Sequence, residues 1–227
     1  MMIYAVGKSI IGGRLFNEDH MYLNRIITNT FYEDIYDNDD LLCFAIADGV
    51  GGSSQGDKAS YTVLQSVENW FSNYDPLNES EELKSAFDSF NESVVSFSDE
   101  IYEATGTTLT LLLISQGKFY LANIGDSPAY RIREREIIPI YSRQGQDNFL
   151  YAYIGNREKS RSEMVDITTG TCEKGDRFFL CSDGISNDLG EKSLNKLLKK
   201  RNITIDKIFK KLKNPKDNCS GILIEVK

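Results

Sequence analysis

Four strand-like runs follow one another closely in the middle of this 227-residue chain. They cover residues 107–115, 118–124, 129–134 and 137–142, with short breaks of Gly, Ser or charged residues between them. Parallel strands need a crossover of a dozen or more residues, whereas antiparallel strands need only a tight turn. The spacing therefore predicts an antiparallel meander.

Helical periodicity occurs on both sides of these strands. Before them, apolar side chains recur at helical spacing over 57–71 and 83–97, and a capping box predicts that the second helix begins at Asn78. After the strands, helices are predicted at 191–201 and 205–213. Strands grouped between two blocks of helices indicate an α+β fold in layers, not alternating βαβ units.

Acidic residues recur beside further short apolar runs, which predict strands at 22–27, 41–47, 177–181 and 221–226. In chain order these acids and the one within the meander are Glu18, Asp19, Asp48, Asp126, Asp183 and Asp217. A single Asp-Gly pair is usually only a turn. Carboxylates that converge from several strand ends, however, make an oxygen-only site of the kind that Mg²⁺ and Mn²⁺ prefer.

Six short motifs contain these acids and their neighbours. In chain order they are 14–19 (RLFNED), 44–52 (FAIADGVGG) with Gly56, 105–108 (TGTT), 122–127 (ANIGDS), 182–184 (SDG) and 217–220 (DNCS). Together they resemble the signature series of the metal-dependent serine/threonine protein phosphatases of type 2C, the PPM family, in its compact bacterial form. Each motif is moderately specific by itself, whereas six in this order are highly specific. The resemblance covers nearly the whole chain.

This resemblance implies a fold and a metal site. The fold is a central β-sandwich of two antiparallel sheets flanked by helices on both faces, in a single domain over 1–227. The cofactors are two Mn²⁺ or Mg²⁺ ions, with a third bound weakly. Asp48 would bridge the two main ions, and the resemblance implies the further metal ligands Asp19, the Gly49 carbonyl, Asp126 for the third ion, Asp183 and Asp217.

The resemblance also implies a reaction and its catalytic residues, Arg14, Glu18 and Asp48. Arg14 would bind the substrate phosphate through its planar fork of donors, and Glu18 would orient metal-bound water. A water shared by two cations loses a proton more easily than bulk water, and the resulting hydroxide would attack phosphorus in line with the leaving alkoxide. The substrates would be phosphoserine and phosphothreonine proteins, and a cognate serine/threonine kinase would be a partner in signalling.

Three departures from the family pattern affect catalysis and specificity. Val50 stands where animal members often carry a histidine after Asp-Gly, and Pro128 replaces an arginine common after Gly-Asp-Ser. The segment 134–170 lacks the Asp-His pair of the usual flap, and 150–155 (LYAYIG) is at best a remnant of it. We therefore expect a short or rebuilt flap with an altered substrate preference.

Two alternatives to a general phosphatase remain open. One is a catalytically impaired relative that binds phosphoproteins or a partner kinase as a regulator. The complete acid set argues against it, because a binding module needs no full set of metal ligands. The other is a phosphatase dedicated to one partner, such as an anti-sigma antagonist or a secretion-system component.

Charge and composition argue against several other classes of protein. A net charge of −8 and a pI of about 4.8 argue against a nucleic-acid partner. The lysine-rich stretch 192–216 is interpreted as the solvated face of helices. No apolar run is long enough to span a bilayer, and residues 1–11 lack the layout of a signal peptide. We therefore expect a cytoplasmic monomer with no membrane partner.

The sequence lacks the residues that other phosphatase mechanisms and other kinds of metal site require. Cysteine phosphatases need an arginine six positions after the nucleophile, and none of the four cysteines has one. The cysteines form no CxxC pair, and those inside apolar runs are expected to be buried. The lone histidine, His20, excludes sites built on several imidazoles and is interpreted as structural. A Walker-type phosphate loop is absent from the sequence.

Overall fold

The structure is a computed structural model that describes residues 1–37, 41–50, 55–74, 79–146, 149–158 and 161–227. Its strands are β1 (Met2–Ile10), β2 (Asp19–Leu23), β3 (Ile26–Thr28), β4 (Phe31–Asp37), β5 (Leu41–Asp48), β6 (Leu109–Ser115), β7 (Lys118–Ile124), β8 (Ala129–Arg133), β9 (Glu136–Pro139), β10 (Gly145–Gln146), β11 (Phe149–Leu150), β12 (Asp166–Thr171), β13 (Arg177–Cys181) and β14 (Cys219–Val226). Its helices are α1 (Gly56–Ser72), α2 (Glu79–Glu100), α3 (Asp183–Leu189), α4 (Glu191–Leu198) and α5 (Ile205–Phe209).

The strands form two large sheets, and every pairing recorded in them is antiparallel. Sheet I has the order β12-β7-β6-β5-β2-β3, and sheet II has the order β4-β1-β14-β13-β8-β9. Strands β10 and β11 form a separate small hairpin. Strands from distant parts of the chain, such as β1 and β14, are therefore neighbours in space.

The two sheets pack face to face around an apolar core. Strand β5 shows how its sequence serves both faces, because successive side chains of a strand point in opposite directions. Phe44 and Ile46 lie in the core between the sheets, together with Phe178 and Ile222 of sheet II. The alternate residues of β5 lie in the core on the other side of sheet I. A strand buried on both faces therefore reads as a continuous apolar run.

Helices cover the outer faces of both sheets. Helices α1 and α2 pack on sheet I with buried side chains such as Val63 and Phe87. Helices α4 and α5 pack on sheet II, where Leu194 and Ile208 lie in one cluster with Phe179. The layers are therefore helix, sheet, sheet, helix, and the predicted α+β sandwich flanked by helices on both faces is confirmed.

The predicted four-stranded meander is wrong in one respect. Strands β6 and β7 form a hairpin in sheet I, but β8 and β9 form a hairpin in sheet II. The chain changes sheet over 125–128, where Gly125 has a φ of +114° and Pro128 precedes β8. Glycine tolerates this backbone conformation at little cost. The acidic residue Asp126 thus lies at a crossing between the sheets.

The predicted strand over 22–27 is also wrong, because the chain turns within it. Strand β2 ends at Leu23 and β3 begins at Ile26, with Asn24 and Arg25 at φ values of 41° and 83°. Positive φ at both central residues is typical of the two-residue type I′ hairpin turn. Of the predicted motif and cap residues, Gly51, Gly52 and Asn78 lie outside the described residues.

Candidate metal centre

A cavity of about 790 Å³ lies where strands of both sheets end. The predicted site residues that line it are Arg14, Asp48, Gly49, Asp126, Asp183 and Asp217. They come from the ends of β5, β7 and β13, from the loop before β2 and from the start of β14. Six of the eight predicted residues thus share one cavity, and the other two, Glu18 and Asp19, lie beside it.

Asp48 is held at the end of β5 through its backbone. Its N–H donates to Thr108 Oγ1 at 3.1 Å, and its carbonyl accepts from Thr107 Oγ1 at 2.9 Å and from the Thr108 N–H at 2.8 Å. Asp48 lines the cavity. Burial, and then the negative charges of the neighbouring aspartates, raise the pKa of Asp48 well above its usual range. The TGTT motif therefore positions Asp48 through hydrogen bonds to its backbone.

Gly49 lies against α1 so closely that no side chain fits. A Cβ atom at Gly49 would lie 2.4 Å from the carbonyl oxygen of Gly56. The Gly49 N–H donates to the Glu18 carbonyl at 3.1 Å, which joins β5 to the residue before β2. The two glycines of this motif therefore allow α1 to begin directly beside the cavity.

Asp19 pairs with Asp48 in the register of β2 and β5, and its side chain is fully buried. Its Oδ2 accepts from Ser182 Oγ at 2.7 Å, whereas its Oδ1 has no hydrogen-bond partner. Burial raises the pKa of Asp19 to about 6, against the effect of the Ser182 hydrogen bond. A buried carboxylate oxygen without a partner is costly, and a cation would satisfy it.

Asp183 is the first residue of α3, a helix that the sequence analysis did not predict. The helix can begin at this point because Gly184 packs on β14, where a Cβ atom would lie 2.0 Å from the Asn218 carbonyl oxygen. Asn187 Nδ2 donates to Asp183 Oδ2 at 3.0 Å. Burial and the nearby charge of Asp126 raise the pKa of Asp183 to about 7.

Arg14 lies between two of the predicted acids. Its Nη2 donates to Asp217 Oδ2 at 2.8 Å, and its Nη1 lies 3.9 Å from Glu18 Oε2. The hydrogen bond to Asp217 raises the pKa of Arg14, whereas burial raises the pKa of Glu18. The guanidinium group is partly exposed in the cavity and has donors left for an anion.

Asn218 holds the loop that carries Arg14 and Glu18. Its Nδ2 donates to the carbonyls of Ile11 and Phe16 at 2.8 Å each, and its Oδ1 accepts from the Glu18 N–H at 2.9 Å. Sequence reasoning assigned this residue no role, although it lies inside the DNCS motif. Its position directly after the predicted metal ligand Asp217 is the sequence feature that could have indicated this role.

Asp126 faces the segment that departs from the family pattern. Arg143 Nη2 lies 4.0 Å from Asp126 Oδ2. The next residue, Gln144, exchanges hydrogen bonds with the backbone of Gly125 at 2.9 and 3.1 Å and also donates to the Met164 carbonyl at 2.8 Å. Gln144 therefore ties the start of the segment to the chain crossing that carries Asp126.

The rest of this segment forms one wall of the cavity. Phe149, Leu150 and Tyr153 line it, and Phe149 is 68% exposed at the rim. Ile154 exchanges backbone hydrogen bonds with Thr107 at 2.8 and 3.0 Å, so the LYAYIG stretch is attached to the TGTT motif. Sequence reasoning assigned these lining residues no role, because LYAYIG is at best a remnant of the family's flap.

His20 lies behind the cavity as a neutral side chain. Its Nδ1 lies 2.8 Å from Ser60 Oγ, and Ser60 Oγ donates to the Glu18 carbonyl at 2.6 Å. Burial lowers the pKa of His20 to about 4. The imidazole therefore links β2 to α1, in agreement with a structural role. The four cysteines are buried, as expected for those in apolar runs.

The cavity suits hard divalent cations by its chemistry. Its charged donors are carboxylates with raised pKa values, and Asp19 brings a buried oxygen that lacks a partner. Within the described ranges, no three His, Cys, Asp or Glu side chains are already arranged as a metal site. The carboxylates therefore line one cavity without forming a ready-made metal site, and bound cations would offset their mutual repulsion.

Comparison with known proteins identifies the family of this arrangement. A family model described as Protein phosphatase 2C matches residues 18–215. The serine/threonine protein phosphatase PstP of Mycobacterium tuberculosis (strain ATCC 25618 / H37Rv) is 26% identical over 172 residues, covering 66% of this chain and 33% of PstP. The chain thus spans about a third of the length of PstP. The serine/threonine phosphatase stp of Listeria monocytogenes serotype 4b (strain F2365) is 26% identical over 211 residues, covering 79% of this chain and 82% of that protein.

Solved structures show the same fold. The serine/threonine phosphatase Stp1 from Staphylococcus aureus superposes with a TM-score of 0.81 at 22% identity, covering 98% of this chain and 94% of that one. The catalytic domain of PstP in complex with two manganese ions superposes with a TM-score of 0.79 at 21% identity, covering all of both chains. Among the described residues, none of the helices has the length and apolar character needed to cross a membrane.

Proposed function

Since the chain belongs to the protein phosphatase 2C family, we propose that it is a metal-dependent serine/threonine protein phosphatase. The reaction is hydrolysis of phosphoserine and phosphothreonine in proteins, without a covalent phospho-enzyme. The observation that carries the proposal is the shared cavity, which is lined by four aspartates from separate strand ends and by Arg14. The names of the relatives from Mycobacterium and Listeria support the same reaction.

The acidic set would hold two Mn²⁺ or Mg²⁺ ions and a third, weaker one. The two main ions would be held by Asp48, Asp19, the Gly49 carbonyl, Asp183 and Asp217, and the weaker ion would be held by Asp126. When bound, the cations would supply an acidified water and positive charge for the phosphate oxygens. The complex of PstP with two manganese ions supports this choice of metal.

The side chains around the metals would bind and orient the substrate. Arg14 would turn its free donors to the phosphate while Asp217 holds its Nη2. Glu18 lies beside Arg14 and would accept a proton from the attacking water or align it. Val50 offers no proton donor at the position after Asp-Gly, so the leaving alkoxide would take its proton from water.

The proposal extends to the setting of the enzyme. Residues 1–227 would form one phosphatase domain and act as a monomer. Its substrates must be made by a serine/threonine kinase, because only such a reaction adds phosphate to those hydroxyls. Four buried, unpaired cysteines fit a reducing compartment such as the cytoplasm. A catalytically impaired regulator is the second candidate, and the altered segment over 134–170 is the feature that favours it.

Turnover of a nitrophenyl phosphate and of a phosphothreonine peptide tests the proposal. Both reactions should need Mn²⁺ or Mg²⁺ and stop with a chelator. Asp48→Asn should lower kcat at least about a hundredfold, roughly 2.7 kcal/mol of barrier. Asp34→Asn, a change on the exposed strand β4, is the matched control and should retain wild-type rates. A metal-replete protein without turnover on either substrate would support the impaired regulator instead.

A further inference from the structure

The stretch 191–216 has a charge opposite to that of the whole chain. It contains ten of the 26 lysines and arginines but two of the 34 aspartates and glutamates. Helices α4 and α5 lie in this stretch, and they bury Leu194 and Ile208 against sheet II. The lysines are on the opposite, exposed side. A solvated helix face explains why these lysines are exposed, but it does not explain why four of them surround one cavity.

Four of these lysines surround a second cavity of about 350 Å³. They are Lys196 and Lys200 at the end of α4, and Lys211 and Lys213 after α5. The carboxylate among the lining residues, Asp188, accepts from the backbone N–H groups of Lys213 and Asn214 at 2.9 and 3.4 Å. Within the described part of the chain, no ion pair involves any of the four lysines.

This basic pocket is a short distance from the proposed catalytic cavity. Helix α3 begins at Asp183 in the catalytic cavity and ends at Leu189 in the basic pocket. At 1.5 Å per residue the two ends lie about 9 Å apart along the helix axis. The two cavities are also connected by a short segment of the chain, from Lys213 in the basic pocket to Lys216 in the catalytic cavity.

We propose that the basic pocket binds acidic side chains of the phosphoprotein substrate while its phosphate occupies the catalytic cavity. The bound Asp or Glu residues would lie about two to five positions from the phosphorylated residue, because an extended chain advances about 3.3 Å per residue. This inference rests on the proposed function, whose substrate class it narrows. The inference also assigns a role to Lys216, which contributes positive charge in the catalytic cavity at the end of the segment that leads from the basic pocket.

The charge pattern favours an acidic peptide over larger polyanions. A nucleic acid or an anionic membrane would meet an extended surface of the protein, and the rest of the chain is strongly acidic. A pocket of about 350 Å³ holds a few side chains, not a duplex or a lipid surface. A peptide can enter both cavities while it avoids the acidic faces.

Matched phosphothreonine peptides test the proposal. One set carries a block of glutamates on either side of the phosphothreonine, and the other carries glutamines at the same positions. The wild-type protein should hydrolyse at least one glutamate peptide about tenfold faster in kcat/KM, and the gain should fall with salt. The double variant Lys196→Gln, Lys211→Gln should lose that preference. The control Lys58→Gln, Lys84→Gln, with exposed lysines of α1 and α2, should keep it.

Two further measurements separate this inference from the proposed function. Nitrophenyl phosphate has no acidic segment, so all variants should hydrolyse it at the wild-type rate. Fluorescence anisotropy with the same peptides measures the glutamate preference even if turnover is absent. Equal affinity and equal kcat/KM for glutamate and glutamine peptides would overturn the inference. So would a double variant that loses binding to RNA or to anionic vesicles while its peptide preference is unchanged.

Discussion

Single side chains with two partners hold the proposed centre together. Ser182 is the clearest case, because its Oγ donates to Asp19 Oδ2 at 2.7 Å and accepts from the Ser220 N–H at 2.9 Å. It thereby joins the end of β13 to β2 and β14. Arg14 has a similar position between Asp217 and Glu18. Removing either side chain should therefore affect more than one neighbour.

Ser182→Ala should lower the free energy of unfolding by about 1–3 kcal/mol, because it leaves a buried N–H and a buried carboxylate oxygen without a partner. Denaturant unfolding of the metal-free protein measures the loss. Mn²⁺ affinity should fall as well, since Asp19 loses the hydroxyl that orients it. Ser186→Ala is the matched control, because Ser186 Oγ donates only within α3, to the Asp183 carbonyl. An unchanged unfolding midpoint in Ser182→Ala would contradict this role.

Arg14→Ala should raise KM for a phosphopeptide about tenfold or more, with a smaller effect on kcat. A charged hydrogen bond to phosphate that is present in the ground and transition states alike acts on binding. The assay is run at saturating Mn²⁺, because the change also removes the partner of Asp217. Arg157→Ala removes an exposed arginine paired with Asp99 and should have no effect. Unchanged constants in Arg14→Ala would make Arg14 a surface residue.

Tight turns connect several neighbouring strands of the sandwich. The hairpins β2–β3, β6–β7 and β8–β9 each have two turn residues with positive φ. The second turn residue is Gly117 in the β6–β7 turn but Arg135 in the β8–β9 turn, with φ values of 74° and 71°. A residue with a Cβ atom is strained in this conformation. The same turn therefore carries different strain at two places in one fold.

Arg135→Gly should stabilise the protein by about 0.5 kcal/mol, as the relief of strain exceeds the entropy that glycine adds to the unfolded chain. Gly117→Ala should destabilise it by about the same amount. A Cβ atom at Gly117 meets nothing within 4 Å, so strain alone would act there. The two shifts in the denaturant midpoint should have opposite signs. Shifts of the same sign would refute the strain argument.

Across the whole molecule, the sequence predicted the structural features that depend on a local pattern of residues. Apolar runs and helical spacing indicated the layers, and the recurring strand-end acids indicated the cavity that the structure shows. Strand β4 was missed because most of its side chains are exposed and it has no apolar run. The separation of β7 from β8 was missed because pairing across sheets depends on distant strands such as β14. The role of Phe149, Leu150 and Tyr153 as one wall of the cavity was missed because this segment is at best a remnant of a family motif.

The acidic cavity should also control the stability of the whole protein as a function of pH. In the metal-free protein, burial raises the pKa of Asp19 to about 6 and that of Asp183 to about 7, and it also raises the pKa of Asp48 well above its usual range. In the unfolded chain these groups titrate near pH 4. Between pH 4 and 7 the native state therefore binds more protons than the unfolded state, so stability must fall as the pH rises.

The chelated protein should accordingly lose on the order of 1–3 kcal/mol of unfolding free energy between pH 5 and 7.5. Mn²⁺ should reverse this loss of stability with rising pH, because cations bind the ionised carboxylates. The gain in Tm on adding Mn²⁺ should therefore be larger at pH 7.5 than at pH 5. Asp48→Asn removes one of the repelling charges, so the chelated variant should lose less stability over the same range. Asp34→Asn, at an exposed position of β4 that does not line the cavity, should behave as wild type. A chelated wild-type protein whose Tm rises from pH 5 to 7.5 would show that the pKa values of these carboxylates are not raised in the folded state.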